Sequence, residues 1–356
     1  MAHGALVTVL AAVLAAMVLL LAGCAAPTTT VLRFVPPGPA APAAAGVYSL
    51  VPGDDPALTQ TGGGTYVSWD VLPVPPLPRT GLPRMVLARI DPKTGTIEAT
   101  NTLTAGLLGT PLFAGGSVWV TDSASLGELL LRLDPGTLMV TGELSLSASR
   151  YPGGAHLAYA GGWLWADGGG RLLRVSPSGD DLTASIALHG ASWSNVAASA
   201  DGSVLIVTEQ GSAGAVQRRD PRTGVLLAAG PVPGAAGAAA VVDGFTGSGV
   251  WVTAATGTSA HAVQLSLRSM RAVETRQVFG PADLRVQLAH GLLWVAAEPD
   301  RGYCADAGTG RALAALPRPR HGELLAVGDG VLYYAEPGPH GTGTRIAPVP
   351  IHGGCG

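Results

Sequence analysis

The amino-acid sequence predicts an all-β fold, a seven-bladed β-propeller, from three observations. A glycine-led apolar phrase recurs along the chain at spacings of about 40–50 residues, which is the period of four-stranded propeller blades. A turn motif rich in Arg, Asp, Pro and Gly follows most copies, and a short run of small and apolar residues precedes most of them. Repetition of this kind indicates units that cannot bury their apolar faces alone and must stack on one another.

The glycine-led phrase predicts a tight hairpin followed by a strand, because glycine accepts positive φ and the next residues are β-branched or aromatic. The copies are GGTYVSWD at 63–70, GGSVWVTD at 115–122, GGWLWAD at 161–167, DGSVLIVTE at 201–209, GSGVWVT at 247–253, HGLLWVAAE at 290–298 and DGVLYYAE at 329–336. Their equivalent large apolar residues are Trp69, Trp119, Trp165, Leu205, Trp251, Trp294 and Tyr333. We interpret this position as core packing between neighbouring blades, with ligand stacking as the alternative.

The turn motif predicts the end of a third strand and the start of a fourth. Its copies are RIDPKTG at 89–95, RLDPGT at 132–137, RVSPSG at 174–179, RRDPRTG at 218–224 and CADAGTG at 304–310. Asp or Ser accepts a local backbone hydrogen bond, Pro fixes φ, and Gly closes the turn in a left-handed conformation. The innermost strands are predicted at 110–114, 156–160, 195–200, 238–243, 285–289 and 323–327.

Together the two motifs resemble the bacterial repeat-propeller superfamily that includes YVTN-type surface repeats and streptogramin-lyase-like proteins. The resemblance covers roughly residues 47–350 and implies the propeller fold. That superfamily mixes enzymes, sensor domains and proteins of other roles, so the resemblance selects no activity. Streptogramin lyases are associated with a His general base, a Glu and magnesium. His290, Glu298 and His261 are the residues of these types in neighbouring units here, but they do not match that pattern residue by residue.

The first residues of the chain predict where in the cell the protein is located. An apolar run at 5–22 leads into Leu21-Ala22-Gly23-Cys24, which resembles a bacterial lipobox. We therefore expect a signal peptide at 1–23, a lipid on Cys24, a tether at 24–46 and the propeller at 47–356, on the extracytoplasmic face of the cell membrane. An uncleaved transmembrane helix is the alternative.

Two features predict how the ring is closed and fastened. The strand-like segment TTVLRFV at 29–35 is expected to pair with the last unit, which lacks a fourth strand and would otherwise expose an edge. Cys304 and Cys355 lie in neighbouring units and are expected to form a disulfide, since their number is even once Cys24 carries lipid. Two isolated thiols are the alternative.

Composition and charge exclude some partners. The net charge is −3, only 13% of the residues are charged, and no basic run is present, which argues against nucleic acid. We expect a monomer that contacts the membrane through its lipid and binds an envelope protein or a glycan.

Five acidic residues follow the large apolar position and are the candidate ligand or cation face. They are Asp122, Asp167, Glu209, Glu298 and Glu336. We expect them to be exposed around the channel mouth, where carboxylates could hold calcium, magnesium or a cationic ligand; solvated loop residues are the alternative. No further cofactor and no catalytic residue is predicted. The histidines at inner-strand starts, His156 and His290, are interpreted as turn or channel-lining residues.

Three function classes remain open at this level. The first is a surface-tethered module that binds a protein, peptide or glycan. The absence of a recognisable nucleophile and base favours this class and the third one below. The second is a metal-dependent lyase or hydrolase of the streptogramin-lyase-like type. The third is an accessory or sensory component of an envelope system.

Overall fold

Antiparallel strands joined in chain order make up the part of the protein that the computed structural model describes. That part comprises residues 48–50, 57–61, 64–71, 84–91, 97–103, 107–124, 127–147, 155–168, 170–178, 181–188, 194–209, 215–233, 240–256, 259–278, 285–289, 292–297, 301–307, 311–315, 323–328, 331–337 and 344–350. All of these residues lie in one compact unit, Val35–Gly356. The predicted all-β class is confirmed.

The described residues form seven antiparallel sheets. Sheet one holds β2 (Ala57–Thr61), β3 (Gly64–Val71), β4 (Arg84–Ile90) and β5 (Ile97–Leu103). Sheet two holds β6 (Leu107–Leu108), β7 (Leu112–Ala114), β8 (Ser117–Ala124), β9 (Gly127–Leu133) and β10 (Val140–Ser147). Sheet three holds β11 (Leu157–Ala160), β12 (Trp163–Gly168), β13 (Arg171–Val175) and β14 (Leu182–Ala187). Sheet four holds β15 (Ser194–Ala198), β16 (Leu205–Glu209), β17 (Ala215–Arg219) and β18 (Leu226–Pro231).

Three further sheets complete the described set. Sheet five holds β19 (Ala240–Phe245), β20 (Gly249–Thr256), β21 (Ser259–Ser266) and β22 (Ala272–Val278). Sheet six holds β23 (Arg285–Ala289), β24 (Leu292–Ala297), β25 (Arg301–Asp306) and β26 (Ala312–Ala315). Sheet seven holds β27 (Glu323–Gly328), β28 (Val331–Pro337), β29 (Thr344–Pro350) and the first described strand, β1 (Tyr48–Leu50).

The strands follow one another as a meander within each sheet, except that β1 joins sheet seven from earlier in the chain. The innermost strand of each sheet, which we call its first strand, contacts the first strand of the next sheet. The contacts run from β2 to β7 and on through β11, β15, β19, β23 and β27, and β27 contacts β2 again. In sheet two the first strand is divided, since β6 and β7 both pair with β8. Six of these seven first strands match the predicted inner segments, and β2 of sheet one was not predicted.

The core lies between successive sheets. In sheet two, Val118 and Val120 pack against Tyr66 and Leu87 of sheet one. Trp119, which alternates with these valines along β8, packs instead against sheet three. Both faces of an inner sheet are therefore buried, and apolar clusters fill the four interfaces from sheet two to sheet six in the same way.

Strand register corrects two of the seven predicted equivalent positions. The buried residue of the second strand lies directly opposite the first arginine of the turn motif in these pairs: Tyr66–Arg89, Trp119–Arg132, Trp165–Arg174 and Ile206–Arg218. Tyr66 and Ile206 therefore take the places assigned to Trp69 and Leu205, and those two assignments were wrong. In sheet four the hairpin before β16 runs over 199–204, longer than the Gly115-Gly116 turn, so counting from the glycine misplaces the strand.

The two sequence motifs interlock neighbouring sheets. Trp165 Nε1 donates a hydrogen bond to the Pro221 carbonyl at 3.1 Å, and Trp251 Nε1 donates to the Ala307 carbonyl at 2.9 Å. Each acceptor lies in the turn motif of the following sheet. The motif arginines do the same through their guanidinium groups: Arg89 to Pro135, Arg174 to Arg222, and Arg218 to Leu267. The interpretation of the tryptophan position as inter-sheet packing is confirmed.

The turn motif folds as its chemistry predicts. Asp220 Oδ1 accepts hydrogen bonds from Thr223 Oγ1 at 2.8 Å and from the Thr223 backbone N–H at 2.7 Å. These bonds lower the pKa of Asp220, since they stabilise its charged form. Gly224 then adopts φ 74°, as predicted. In sheet two the prediction is wrong, because the left-handed residue is Leu138 at φ 58° and not Gly136. Leu138 is fully buried, so the core takes a side chain there despite the backbone strain.

An early segment of the chain does pair with the last sheet. Strand β1, Tyr48–Leu50, runs antiparallel to β29, with Tyr48 opposite Ile346. The sequence assigned this place to residues 29–35, which lie outside the described residues. A three-residue strand is too short to show a periodic pattern, whereas 29–35 shows one clearly.

The predicted cysteine bridge is described only in part. Cys304 in β25 is fully buried and disulfide-bonded. Cys355 and Cys24 lie outside the described residues, so the pairing of Cys304 with Cys355 stays a prediction. Within the described ranges we find no helix with the length and apolar character that crossing a bilayer requires.

Candidate functional site

Four of the five predicted acids lie where a second strand passes to a third. We call this edge of each sheet the second-strand end. Asp122 lies in β8, Asp167 in β12, Glu209 in β16 and Glu336 in β28. Glu298 lies outside the described residues, and for Glu209 and Glu336 the structure describes the backbone position. The first strand of each sheet begins at this same end, because it runs antiparallel to the second.

The expected exposure of these acids is wrong for the two whose side chains are described. Asp122 and Asp167 are each 1% exposed. Their strands continue past the tryptophan position, and neighbouring sheets cover both faces. By strand alternation Asp122 lies on the face of sheet two that packs on sheet one, and Asp167 lies on the face of sheet three that packs on sheet four. The structure therefore does not bring these two carboxylates together.

A different set of side chains does converge, around the two residues just before β11. Thr121 Oγ1 donates to the Ala155 carbonyl at 2.7 Å, and the Ala155 N–H donates to Glu128 Oε1. The His156 N–H donates to Asp167 Oδ1 at 2.5 Å. Side chains of sheets two and three thus fix this short backbone segment from both sides. We call Glu128, His156 and Asp167 the Glu128–His156–Asp167 cluster.

Asp167 is the anchor of the cluster. Its Oδ2 accepts a hydrogen bond from Ser194 Oγ at 3.0 Å and lies 3.5 Å from His156 Nδ1. The 3.5 Å distance is an ion-pair contact, so Asp167 acts on the ring through its charge. The His156 side chain is 33% exposed, so it is the member of the cluster that solvent reaches.

Glu128 is the unsatisfied member of the cluster. It is fully buried, and its Oε2 has no hydrogen-bond partner among the described residues. Burial raises the pKa of Glu128 to about 7, and Asp167 adds to this shift. The Ala155 N–H, His156 and the hydroxyl of Ser123, which lies opposite Glu128, oppose it. A Cβ built on Gly168 would lie 3.6 Å from Oε2, so the glycine leaves room for about a methyl group beside that oxygen.

Asp122 is a second buried carboxyl, separate from the cluster. Burial raises its pKa to about 7, and Glu143 adds to the effect. Neither carboxyl oxygen of Asp122 has a hydrogen-bond partner among the described residues. Asp122 precedes Ser123, which lies directly opposite Glu128, so the two acids occupy opposite faces of one hairpin.

The sequence also predicted a possible cation site at the second-strand end and drew attention to His261 and His290. In the part of the chain that the structure describes, no group of three His, Cys, Asp or Glu side chains could hold a metal ion. His261 lies in β21 as a backbone position, and His290 lies outside the described residues. A cation site with Glu298 and a His290–Glu298 pairing both stay predictions.

Sequence reasoning missed Glu128, Thr121 and Ser194, and it interpreted His156 as a turn or channel-lining residue. Glu128 offered one signal, because in GELLLRL it shares a strand face with Leu130, which is a buried position. An acid on such a face needs a partner or a proton. The contacts to Ala155 cross between sheets, so no spacing along the chain reveals them.

Comparison with known proteins gives a likeness of fold. No family model matches the chain, and no curated protein matches it. Among solved structures, the crystal structure of the computationally designed Ika8 protein is similar, with a TM-score of 0.52 and 14% identity over 81% of this chain and 83% of that chain. At this identity the likeness concerns the fold alone.

Proposed function

We propose that this protein is a lipid-anchored, extracytoplasmic seven-bladed β-propeller that acts as a binding module. Its ligand face is the second-strand end, and its ligand is a protein, peptide or glycan of the cell envelope. The observation that carries the proposal is the Glu128–His156–Asp167 cluster, where side chains of two sheets fix the backbone at a partly exposed histidine.

The sheet contacts support the propeller. Seven sheets of four or five strands contact one another through their first strands, and the last of these strands contacts the first. Apolar clusters fill the interfaces between neighbours. A ring of stacked sheets accounts for both features, and it leaves the ends of the strands free to carry a binding face.

The proposed membrane anchor is supported by the lipobox-like residues that end at Cys24. Cys24→Ala should move the protein from the membrane fraction to unanchored or unprocessed forms, because no diacylglycerol can be attached. Cell fractionation and intact mass measure this. The lipid anchor would be contradicted if both proteins fractionate alike and neither intact mass includes a lipid.

Preorganisation supports binding at the second-strand end. Binding sites use a few polar groups in fixed positions on a rigid framework, since ordering them in advance lowers the entropic cost of association. Thr121, Glu128 and Asp167 hold Ala155 and His156 from rigid strands. The exposed histidine that a ligand would meet here is therefore already in place.

The full chain in detergent, applied to peptide and glycan arrays, tests this function. We expect at least one ligand whose binding falls about tenfold or more with His156→Ala, a loss typical of a direct contact. Ser178→Ala is the control, because Ser178 is exposed in the turn at the opposite end of sheet three. Ligands that bind both variants and the wild type alike would contradict the assignment of the face.

A lyase or hydrolase is a second candidate, favoured by the 3.5 Å contact between His156 Nδ1 and Asp167 Oδ2. An imidazole oriented by a carboxylate can serve as a general base. Cleavage of a macrocyclic lactone in the presence of magnesium, lost with His156→Ala and kept with Ser178→Ala, would support it. Absence of turnover in the wild type would leave the binding module as the function.

A further inference from the structure

We propose that the Glu128–His156–Asp167 cluster binds the ammonium group of an amine-bearing ligand. This inference rests on the proposed function and names the ligand chemistry of its face. Two sources share that chemistry, the lysine side chain of a peptide and the amino group of an amino sugar.

The first step is the unsatisfied oxygen. Glu128 Oε2 is buried without a hydrogen-bond partner among the described residues, while Oε1 is already used by the Ala155 N–H. A buried carboxylate without a partner is unfavourable, so it takes up a proton or a cation. An ammonium group has three N–H donors and could donate one of them to Oε2.

The second step is the sign of the local charge. Asp167 is the carboxylate neighbour of Glu128, and His156 is the other titratable group that acts on it. Asp167 already accepts hydrogen bonds on both oxygens, so it contributes negative potential and leaves Glu128 as the free acceptor. An anionic ligand would be repelled by these two acids, whereas a cation is attracted.

The third step is access. The His156 ring is 33% exposed, and the residue before it donates its N–H to Glu128. Gly168 leaves about a methyl-sized space beside Oε2. An ammonium that approaches along the exposed side of His156 would enter this space and donate one N–H to Oε2.

The fourth step links binding to protons. Because burial raises the pKa of Glu128 to about 7, its carboxyl is largely protonated at about pH 6 and largely ionised at about pH 8. An ammonium binds the ionised form, so binding releases a proton at the lower pH. Amine affinity should rise about tenfold from pH 6 to pH 8.

Isothermal calorimetry on the full chain in detergent tests the inference. The amine probes are N-acetyl-lysine amide and glucosamine, and the matched neutral probes are N-acetyl-norleucine amide and glucose. We expect one amine probe to bind and its neutral counterpart to fail, and the probe that binds identifies the source. Two buffers of different ionisation enthalpy measure the proton released.

Glu128→Gln removes the charge and keeps a carbonyl oxygen for the Ala155 N–H. It should lower amine affinity about tenfold or more at pH 8 and abolish the proton release at pH 6. Asp122→Asn is the control, because Asp122 is a buried acid on the opposite face of the same hairpin, and it should leave both unchanged. If Glu128→Gln fails to fold, Gly168→Ala fills the space beside Oε2 without changing charge and should lower amine affinity likewise.

The outcomes separate this inference from the proposed function. Equal binding of amine and neutral probes, no binding of either amine, or amine binding unchanged in Glu128→Gln or Gly168→Ala, would each overturn the ammonium site. An array ligand that still depends on His156 in that case would leave the binding module in place. Amine binding that survives His156→Ala but is lost in Glu128→Gln would support the ammonium site and contradict the assignment of His156.

Discussion

At the scale of single residues, one residue with a left-handed backbone conformation recurs in the turn between the third and fourth strands. Gly224, Leu138 and Met270 hold it in three different sheets, with φ of 74°, 58° and 53°. Glycine adopts this conformation freely, whereas leucine and methionine adopt it with strain. Leu138 and Met270 are both fully buried, so burial of the side chain offsets the strain at these two positions.

Gly224→Ala should be among the more damaging single changes in sheet four. A Cβ there would lie 2.3 Å from Ile186 Cδ1 and 2.9 Å from Trp165 Cη2, and the left-handed φ adds strain. We expect the free energy of unfolding to fall by about 2–4 kcal/mol in urea titrations. Gly162→Ala is the control, since Gly162 has φ 83° and no heavy atom near its Cβ. It should cost about 1 kcal/mol, and equal losses at the two sites would contradict the packing argument.

Asp122 makes stability depend on pH in a direction opposite to the usual acid. Its pKa is raised from 3.8 to about 7 by burial, so the folded state binds a proton that the unfolded state has lost between these values. Stability contributed by the neutral carboxyl is present below about pH 4 and is lost as pH rises toward 7.

Asp122→Asn should therefore stabilise the protein at about pH 8, by about 1–3 kcal/mol, and reduce the fall in stability between pH 4 and 7. Denaturant unfolding at several pH values measures both effects. Glu128→Gln should reduce the same slope, because the pKa of Glu128 is raised in the same sense. An unchanged slope in Asp122→Asn would show that Asp122 is ionised in the folded protein.

At the scale of elements, the tryptophan and arginine of one sheet hold the turn of the next. Arg174 donates to the Arg222 carbonyl, and its guanidinium lies 4.6 Å from the centroid of the Trp163 ring. This contact explains why the two motifs occur together. Trp165 on the second strand and Arg174 on the third strand both donate hydrogen bonds to the turn that precedes the fourth strand of the next sheet. It also joins sheet three, which carries Asp167, to sheet four, which carries Ser194.

Arg174→Ala should lower the free energy of unfolding by about 1–3 kcal/mol, since it removes an inter-sheet hydrogen bond and a cation–π contact. Arg171→Ala is a matched control on the same strand. Arg171 is exposed and bonds only within sheet three, to Ser185, among the contacts described, so its loss should stay near 0.5 kcal/mol or less. Equal melting temperatures for the two variants would contradict the interlock.

At the scale of the whole molecule, an early strand completes the last sheet. Strand β1 pairs with β29, and β27 of the same sheet contacts β2 of sheet one. The chain thus joins its early and late segments in sheet seven. Without β1, the outer edge of β29 would present unpaired backbone groups, and such edges promote association.

Two shortened chains separate the strand seen here from the one expected in the sequence. A chain that begins at residue 47 keeps β1 and loses residues 29–35, and it should keep its melting temperature and stay monomeric. A chain that begins at residue 51 loses β1 and should melt at a lower temperature and associate. Thermal unfolding and light scattering measure these properties. Loss of stability already at residue 47 would assign an essential role to residues 29–35.

Much of the secondary structure could be predicted from the sequence, because turns and strands depend on neighbouring residues. The first and second strands of most sheets followed from the apolar segments on either side of a glycine hairpin. The third and fourth strands followed from Asp-Pro turns such as that of Asp220. Register was harder: Ile206 holds the position assigned to Leu205, since a longer hairpin shifts the pairing. Tyr66 holds the position assigned to Trp69 although its hairpin has the usual two residues, because Trp69 was chosen for its residue type. The candidate site was largely missed, as its contacts join sheets two and three.

The sequence by itself determined the all-β class, the repeating unit and the chemistry of the turns. Each of these is settled by residues within one unit, where φ preferences and alternation act locally. Only the tertiary structure decided that Asp122 and Asp167 are buried and face different neighbours, that Glu128 keeps an unpartnered oxygen, and that His156 is held by Asp167. Burial and electrostatics depend on what the adjacent sheet places against a side chain, and that is fixed only when the sheets pack.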